Sequence, residues 1–329
     1  MLSRRSFLKD FGMGTVFCLL PFSAVADAHY HSRKLFSAEQ TEIHMGTLVT
    51  IKTVSDSKEK NYMALDAAFR EMHRLEGLLS RHDAESPLVH LNAHKYLDDA
   101  PRELLSVLKH AKTINRITRG AFDPTILPLL EHYEQSGQTA FQDESTCRKL
   151  LASVGLHALR IDGDRVELAN EGAKITLDGI AKGFIVDSAA RKISELGIDD
   201  FLINAGGDIT ARGHNDDEPW RIAVRDPNGV NNDPLCVFEL TDASVATSGS
   251  YVNRFDKEER HHHIIDPHSG TSPSYRSITV KASSCMLADA LATSLGCMEN
   301  PLSFAGNEKG VSCLLLDRNG RIYRTVRPI

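Results

Sequence analysis

Stretches that favour helix gather before residue 155 and stretches that favour strand follow it, and this order constrains the fold more than any single motif does. Residues 58–79, 102–118 and 147–154 predict helices. From Ala158 onward, short apolar runs separated by glycine turns predict strands, interrupted by helices after Gly183 and around Asp289. The stretch 226–233, rich in Asn, Asp, Gly and Pro, predicts a loop. Segregated helices and strands imply an α+β fold. After a leader over 1–28, residues 29–329 are long enough for one large domain or for two intimate parts, a helical-rich one at about 55–155 and a sheet-rich remainder.

The N-terminus sets the expected compartment. Ser3-Arg4-Arg5-Ser6-Phe7-Leu8-Lys9 matches the twin-arginine export pattern, followed by a mildly apolar stretch over 11–26. Small residues at Ala24-Val25-Ala26 and Ala26-Asp27-Ala28 offer cleavage after Ala26 or Ala28, and the run is short of the about 20 residues a membrane span needs. The expected location is the periplasm, free or in loose association with the membrane, with the Tat translocon a partner during export. Five cysteines remain after cleavage, an odd number without a C-x-x-C pair, so neither a zinc site nor an obligatory disulfide framework is expected. A hydrophobic share of 41 % and a charged share of 25 % suit a sizeable core. The net charge of -6, with no basic stripe, argues against nucleic acid as a partner.

Three polar signatures lie between Ser244 and Thr293. In the last, 285–298 predicts a helix, which puts Asp289 and Thr293 four apart on one face. A carboxylate beside a hydroxyl is a hard oxygen pair suited to Mg²⁺ or Ca²⁺. A lone D-x-x-x-T is more readily a solvated Asp and a Thr bonding back into its own helix. The second, His263-Ile264-Ile265-Asp266-Pro267, predicts a buried strand with a polar residue at each end, and a histidine so held can serve as a general base near neutral pH. His261 to His263 cannot all converge on one ion, because consecutive strand residues face opposite ways. The first is Val245-Ala246-Thr247-Ser248-Gly249.

Upstream, 177–183 reads as the end of a strand, a tight glycine turn and the start of a helix with apolar positions Val186, Ala189, Ala190, Ile193 and Leu196. Such a turn can receive a phosphate at a helix N-terminus, or can simply join strand to helix; it is neither a Walker A nor a G-x-G-x-x-G fingerprint. Residues 201–208 read as an apolar strand closing on a Gly-Gly bend with an acid after it.

Taken in order, Met45-Gly46-Thr47, Gly120-Ala121-Phe122-Asp123-Pro124, Gly179 to Gly183, Asn204 to Asp208, Ala246 to Gly249, His263 to Pro267 and Asp289 to Thr293 resemble the ApbE family of FAD:protein FMN transferases, over roughly residues 42–325. The resemblance implies an ApbE-like, T-fold-related architecture of mixed or antiparallel sheets with flanking helices and an FAD cleft. It also implies binding of FAD and Mg²⁺, cleavage of the pyrophosphate, transfer of FMN to a Thr or Ser hydroxyl of a redox partner, and release of AMP; some relatives hydrolyse FAD instead. Carried over by position, it implies Gly179 (through its carbonyl), Asp289 and Thr293 as metal ligands. The same carry-over puts Met45, Ala121, Phe122, Asp123, Lys182 and Ile264 against FAD, with Phe122 equally readable as core. His263 is the implied base and Asp266 its competitor.

Two departures stand out. Where many members have Ser-Thr followed by Tyr or Trp, this chain reads Ser80-Arg81-His82, so the flavin- or adenine-packing aromatic becomes His82. Thr176 stands where some members carry an acid that contacts FAD. Three functions follow: transfer to a flavoprotein of a membrane electron-transfer system of Rnf, Nqr or NosR type; FAD pyrophosphatase activity; or a noncatalytic periplasmic flavin carrier.

Overall fold

The computed structural model describes residues 35–137, 143–227, 229, 233–256 and 260–325. The twin-arginine pattern and its cleavage sites lie outside these residues, as does part of the 226–233 loop. Its centre is an eight-stranded sheet, β1 (Phe36–His44), β2 (Thr47–Ser55), β6 (Asp200–Ala205), β7 (Asp208–Arg212), β10 (Ala243–Gly249), β11 (Tyr275–Ala282), β12 (Ser312–Asp317) and β13 (Ile322–Arg324), hydrogen-bonded in that order. Every pairing in it is antiparallel. A three-stranded sheet of β3 (Tyr96–Leu97), β5 (Arg165–Leu168) and β4 (Leu159–Asp162), and a hairpin of β8 (Trp220–Val224) and β9 (Cys236–Leu240), complete the sheets. The fold is α+β, as expected, but two central-sheet strands precede the first helix, so the segregation of helix from strand is incomplete.

Helix α1 is Lys58–Leu79, the span its periodicity predicts. Ser57 caps it by accepting from the Lys60 N–H, and Ala64, Leu65, Ala68, Met72, Leu75 and Leu79 form the buried stripe. α2 (Pro87–His94), α4 (Leu127–Ser136) and α8 (Pro301–Asn307) are helices beyond those expected; each starts beside a proline, which fits a first turn where no N–H is needed. α3 is Arg102–Ile117, one residue shorter than expected. α5 is Glu144–Leu151 instead of 147–154, because the Asp143 side chain accepts from Thr146 N–H and starts the helix three residues early. α6 (Ala181–Glu195) and α7 (Cys285–Ser294) carry the site, and α7 tightens into a 3₁₀ turn over Leu295–Cys297.

Two local expectations are corrected. Residues 173–177 belong to no strand, so no strand leads into the glycine turn. His263-Ile264-Ile265 is an irregular segment, not a strand; only His262 makes an isolated bridge, to Arg254. The segment is held by side chains and a turn instead: His262 N–H donates to Ser272 Oγ, and Ser272 Oγ–H to the His262 carbonyl.

α1 and α6 pack over β1, β2 and β6 in the largest core, while α7 covers β10 and β11 in a second one built on Ala246, Val280, Ala288 and Leu291. The β8–β9 hairpin seals the opposite sheet face with Trp220, Ile222 and Phe238. Cys236, Cys285, Cys297 and Cys313 are free thiols, and the Cys147 sulfur lies 3.5 Å from the Tyr133 hydroxyl. No helix among the described residues is long and apolar enough to cross a membrane.

Candidate active site

Strand register puts the signatures at one end of the central sheet. β1 and β2 are joined by Met45-Gly46, both at positive φ (51° and 72°), the two-residue turn whose twist suits a hairpin. Met45 is an uncommon residue for that conformation, and its N–H is held by Glu76 Oε1 of α1 at 2.9 Å. β2 pairs with β6, Val49 opposite Ala205, so the Gly206-Gly207 turn closes at the same end. A Cβ on Gly206 would lie 2.3 Å from Thr47 Oγ1, so the two turns touch and only glycine fits. β10 runs antiparallel to β7 with Val245 opposite Ile209, which brings Ser248 and Gly249 to this end as well.

Two helices deliver their polar groups here, and they lock into each other. Gly183 N–H, an otherwise unpaired donor in the first turn of α6, donates to Asp289 Oδ2 at 3.0 Å. In return Asp187 of α6 accepts from the Cys285 and Met286 N–H groups, each at 2.9 Å, at the start of α7. The helices approach so closely that a Cβ on Gly183 would sit 2.5 Å from the Cys285 carbonyl oxygen. Thr293, one turn past Asp289, lies against the Gly179 turn: a Cβ there would be 3.0 Å from Thr293 Oγ1, and Ser248 Oγ is 3.4 Å from the same oxygen. The three residues implied as metal ligands are thus brought together by the α6–α7 contact.

Lys182 completes this centre. Its Nζ lies 3.1 Å from Asp208 Oδ2, whose residue is 2 % exposed. Burial pushes the Asp208 carboxyl up, with Lys182 opposing. Burial also lowers the Lys182 ammonium, but the charges of Asp208 and Asp289 outweigh it and leave it above its ordinary value. Asp289 is held well above the carboxylate range, by burial first and by the Asp208 charge second, against the pull of Lys182 and the Gly183 N–H. A buried acid that resists ionising next to a second acid is a place where a cation would lower the energy. The donor set of one carboxylate, one hydroxyl and a backbone carbonyl is all oxygen, which fits Mg²⁺ and not zinc. Among the described residues no group of three His, Cys, Asp or Glu side chains could hold an ion.

The remaining candidates form the wall. Thr176 is buried; its N–H donates to the Pro124 carbonyl at 2.8 Å and its Oγ1 accepts from Asp178 N–H at 3.1 Å, tying the Gly120–Pro124 signature to the glycine turn. Asp123 accepts from the Thr125 N–H and hydroxyl and from Asn115 Nδ2, and burial raises its carboxyl. Ala121 is buried, and Phe122, 4 % exposed, belongs to the main core, as the plainer reading of that residue has it. Gly120 backs onto His268, whose Nε2 is 3.1 Å from the Arg119 carbonyl oxygen, so this segment meets the turn after Ile265. His82 is exposed in the bend after α1, while its neighbour Arg81 is drawn in.

His263 is half-buried, and its Nδ1 lies 3.4 Å from the Asn253 carbonyl oxygen. A carbonyl can only accept, so this contact assigns the proton to Nδ1 and leaves Nε2 bare. Burial lowers the imidazole first; the Asn253 bond and the charges of Asp178 and Glu134 oppose it, while Lys182 adds to the lowering. Asp266 is differently placed. Its Oδ1 accepts from His268 N–H and lies 3.2 Å from His268 Nδ1, and its Oδ2 accepts from Ser269 Oγ, so its carboxylate organises the turn over 266–271. Ile264 is 7 % exposed, and Ile265 packs with Leu127, Leu130 and Tyr133.

No sequence pattern assigns a role to Asp208, Asp187, Glu76 or Arg81. Asp208 closes the Asn204–Asp208 signature, a hint in itself; the others act across long sequence separations that no local pattern reveals.

The ApbE family profile matches residues 45–315. A FAD:protein FMN transferase of Vibrio cholerae is 31 % identical over 290 residues, covering 84 % of each chain, and one of Treponema pallidum is 28 % identical over 279 residues, covering 77 % of this chain and 76 % of that one. Among solved structures, the flavin transferase ApbE from Vibrio cholerae superposes with a TM-score of 0.75 at 26 % identity, covering 89 % of this chain and 98 % of that one. The ApbE protein from Thermotoga maritima superposes at 0.79 and 28 % identity, covering 88 % and 97 %. Shared sequence over nearly the whole described chain, a shared fold, and signatures that converge on one end of one sheet lead to a single conclusion: the chain belongs to the ApbE family.

Proposed function

We propose that this protein is an FAD:protein FMN transferase that moves FMN from FAD to a Thr or Ser hydroxyl of a flavoprotein, in the presence of Mg²⁺, with release of AMP. The observation that carries this reading is the convergence of the Gly179 turn, Asp289, Thr293 and Lys182 within one contiguous cluster. Gly179 through its carbonyl, Asp289 and Thr293 would hold Mg²⁺, which when bound neutralises charge on the diphosphate. Lys182 offers a fixed ammonium for a phosphate oxygen, with Asp208 holding it in place. Met45 and Ile264 offer apolar surface to the rings.

His263 is the base. With the proton on Nδ1, Nε2 takes the proton of the acceptor hydroxyl as the hydroxyl oxygen bonds to the FMN phosphorus, and the bond from that phosphorus to the bridging oxygen breaks, leaving AMP. Asp266, with both oxygens engaged in its turn, is less free to take that proton. The positions of His82, Ala121, Phe122, Asp123 and Thr176 suit a wall around FAD, Phe122 and Asp123 acting chiefly through packing and the turn they hold. We place the reaction in the periplasm, after export through the twin-arginine route, with a flavoprotein of a membrane electron-transfer system as acceptor.

Incubation of the purified protein with FAD, Mg²⁺ and acceptor domains, followed by acceptor mass and AMP measurement, tests this. A mass gain of FMN less water, matched by AMP, is the expected result. AMP without mass gain would replace the reading with FAD hydrolysis, and no AMP in any condition would leave a flavin carrier.

A further inference from the structure

Arg81 is the residue in the Ser80-Arg81-His82 departure that the structure builds in. Its side chain is 14 % exposed. Nε donates to Asp178 Oδ2 at 2.6 Å, while Nη2 and Nη1 reach the two oxygens of Glu134 at 2.6 and 3.2 Å. Each of the three guanidinium nitrogens meets a carboxylate oxygen, an arrangement that arginine's planar fork supplies and lysine does not. The residues on either side of it are tied down, Ser86 Oγ–H donating to the Ser80 carbonyl at 2.6 Å and His82 N–H to Ser80 Oγ at 3.1 Å.

What Arg81 joins matters more than the bonds themselves. Asp178 directly precedes Gly179 and has its own N–H on Thr176 Oγ1. Glu134 lies on α4, which continues from the Asp123-capped turn over Pro124–Ile126. Gly179 in turn sits 3.0 Å, by its Cβ direction, from Thr293, so a small rotation of the turn would move its carbonyl relative to Thr293 and Asp289. We propose that Arg81 is a positioning residue that fixes the Asp178-Gly179 turn, and thereby the Gly179 carbonyl, against the Asp289–Thr293 face of α7. This rests on the metal reading above, and it assigns Arg81 a role in cation affinity, not in flavin contact.

Calorimetric titration of MgCl₂ into the purified, FAD-loaded protein tests it, with FAD affinity measured separately in EDTA. Arg81→Ala and Glu134→Gln, which break the clamp from opposite ends, are expected to weaken Mg²⁺ binding about 10–100-fold, the usual cost of losing a group that orients a metal ligand, with FAD affinity in EDTA unchanged. Arg81→Lys, able to meet only one of the two carboxylates well, is expected to fall between. Should Arg81→Ala fail to fold, judged by circular dichroism, Glu134→Gln and Arg81→Lys carry the same test. Wild-type Mg²⁺ affinity in the folded variants overturns the proposal, as does a parallel loss of FAD affinity in EDTA. A wild-type protein that takes up no Mg²⁺ overturns the metal reading itself, and this role with it.

Discussion

Gly183 N–H donates to Asp289 Oδ2 at 3.0 Å while, one turn along α6, Asp187 accepts from the first two N–H groups of α7. Each helix therefore satisfies the free donors at the start of the other, and Asp289 and Thr293 cannot move without α6. The site's geometry is a property of this helix pair.

That closeness makes Gly183→Ala a sharp probe. In most helices the change would stabilise by about 1 kcal/mol. Here the new methyl meets a backbone carbonyl at 2.5 Å, with no flexible side chain to yield. We expect a net loss of about 1–3 kcal/mol in urea unfolding, with turnover lost out of proportion, because the helices must part.

Asp289→Asn keeps an acceptor for Gly183 but cannot ionise. Because burial holds Asp289 well above the carboxylate range, its contribution to stability is present at low pH and lost as pH rises through the folded value. Without metal the variant should be at least as stable as the wild type at neutral pH. Mg²⁺ should raise the Tm of the wild type and not of the variant, and Mg²⁺-dependent AMP release should disappear. Equal Mg²⁺ responses in a thermal-shift assay would refute the ligand role.

Lys182→Met leaves the Asp208 carboxylate, 2 % exposed, without its cation. Removing one partner of such a pair costs about 3 kcal/mol. Adding Asp208→Asn should recover most of that in chemical denaturation while FAD binding stays impaired. No recovery would mean that the ammonium contributes through something other than Asp208.

His263→Ala should lower the transfer rate by about 10²–10⁴-fold, the range for a lost general base, with a much smaller effect on the Kd for FAD. Since burial lowers this imidazole, the wild-type rate should be level through neutral pH and decline only on the acid side. A loss confined to FAD affinity would move His263 from base to binding residue.

His262 offers a test of stability apart from turnover. Burial pushes it down to about 4, helped by the neighbouring charges of His263, Arg318 and His261, against the bond to Pro273. Its folded value lies below the ordinary imidazole value of 6.5, so the stability it contributes is full above that pH and drains away as pH falls from there towards 4. The loss is on the order of 3 kcal/mol, at about 1.4 kcal/mol for each tenfold change in proton affinity. His262→Gln should flatten that part of the stability curve relative to wild type; an unchanged slope would contradict the buried neutral state.

The sequence by itself determined the local pieces. The stripe from Ala64 to Leu79 writes α1 residue by residue, because 3.6-residue periodicity is a local property, and Gly206-Gly207 writes a hairpin turn because only glycine takes those angles there. The i, i+4 spacing puts Asp289 and Thr293 on one face in any helix. The His263 segment escaped this logic: two isoleucines suggest a strand, yet no partner strand lies beside them, and Ser272 and Asp266 hold the chain in turns instead. Only the tertiary structure decided which pieces meet. Thr47 on Gly206, Gly183 on Cys285, Lys182 on Asp208 and Arg81 between Asp178 and Glu134 all join residues far apart in the chain. Such meetings follow from sheet register and helix packing, which bring distant groups into contact by closing the whole core at once and leave no trace in any local run of residues.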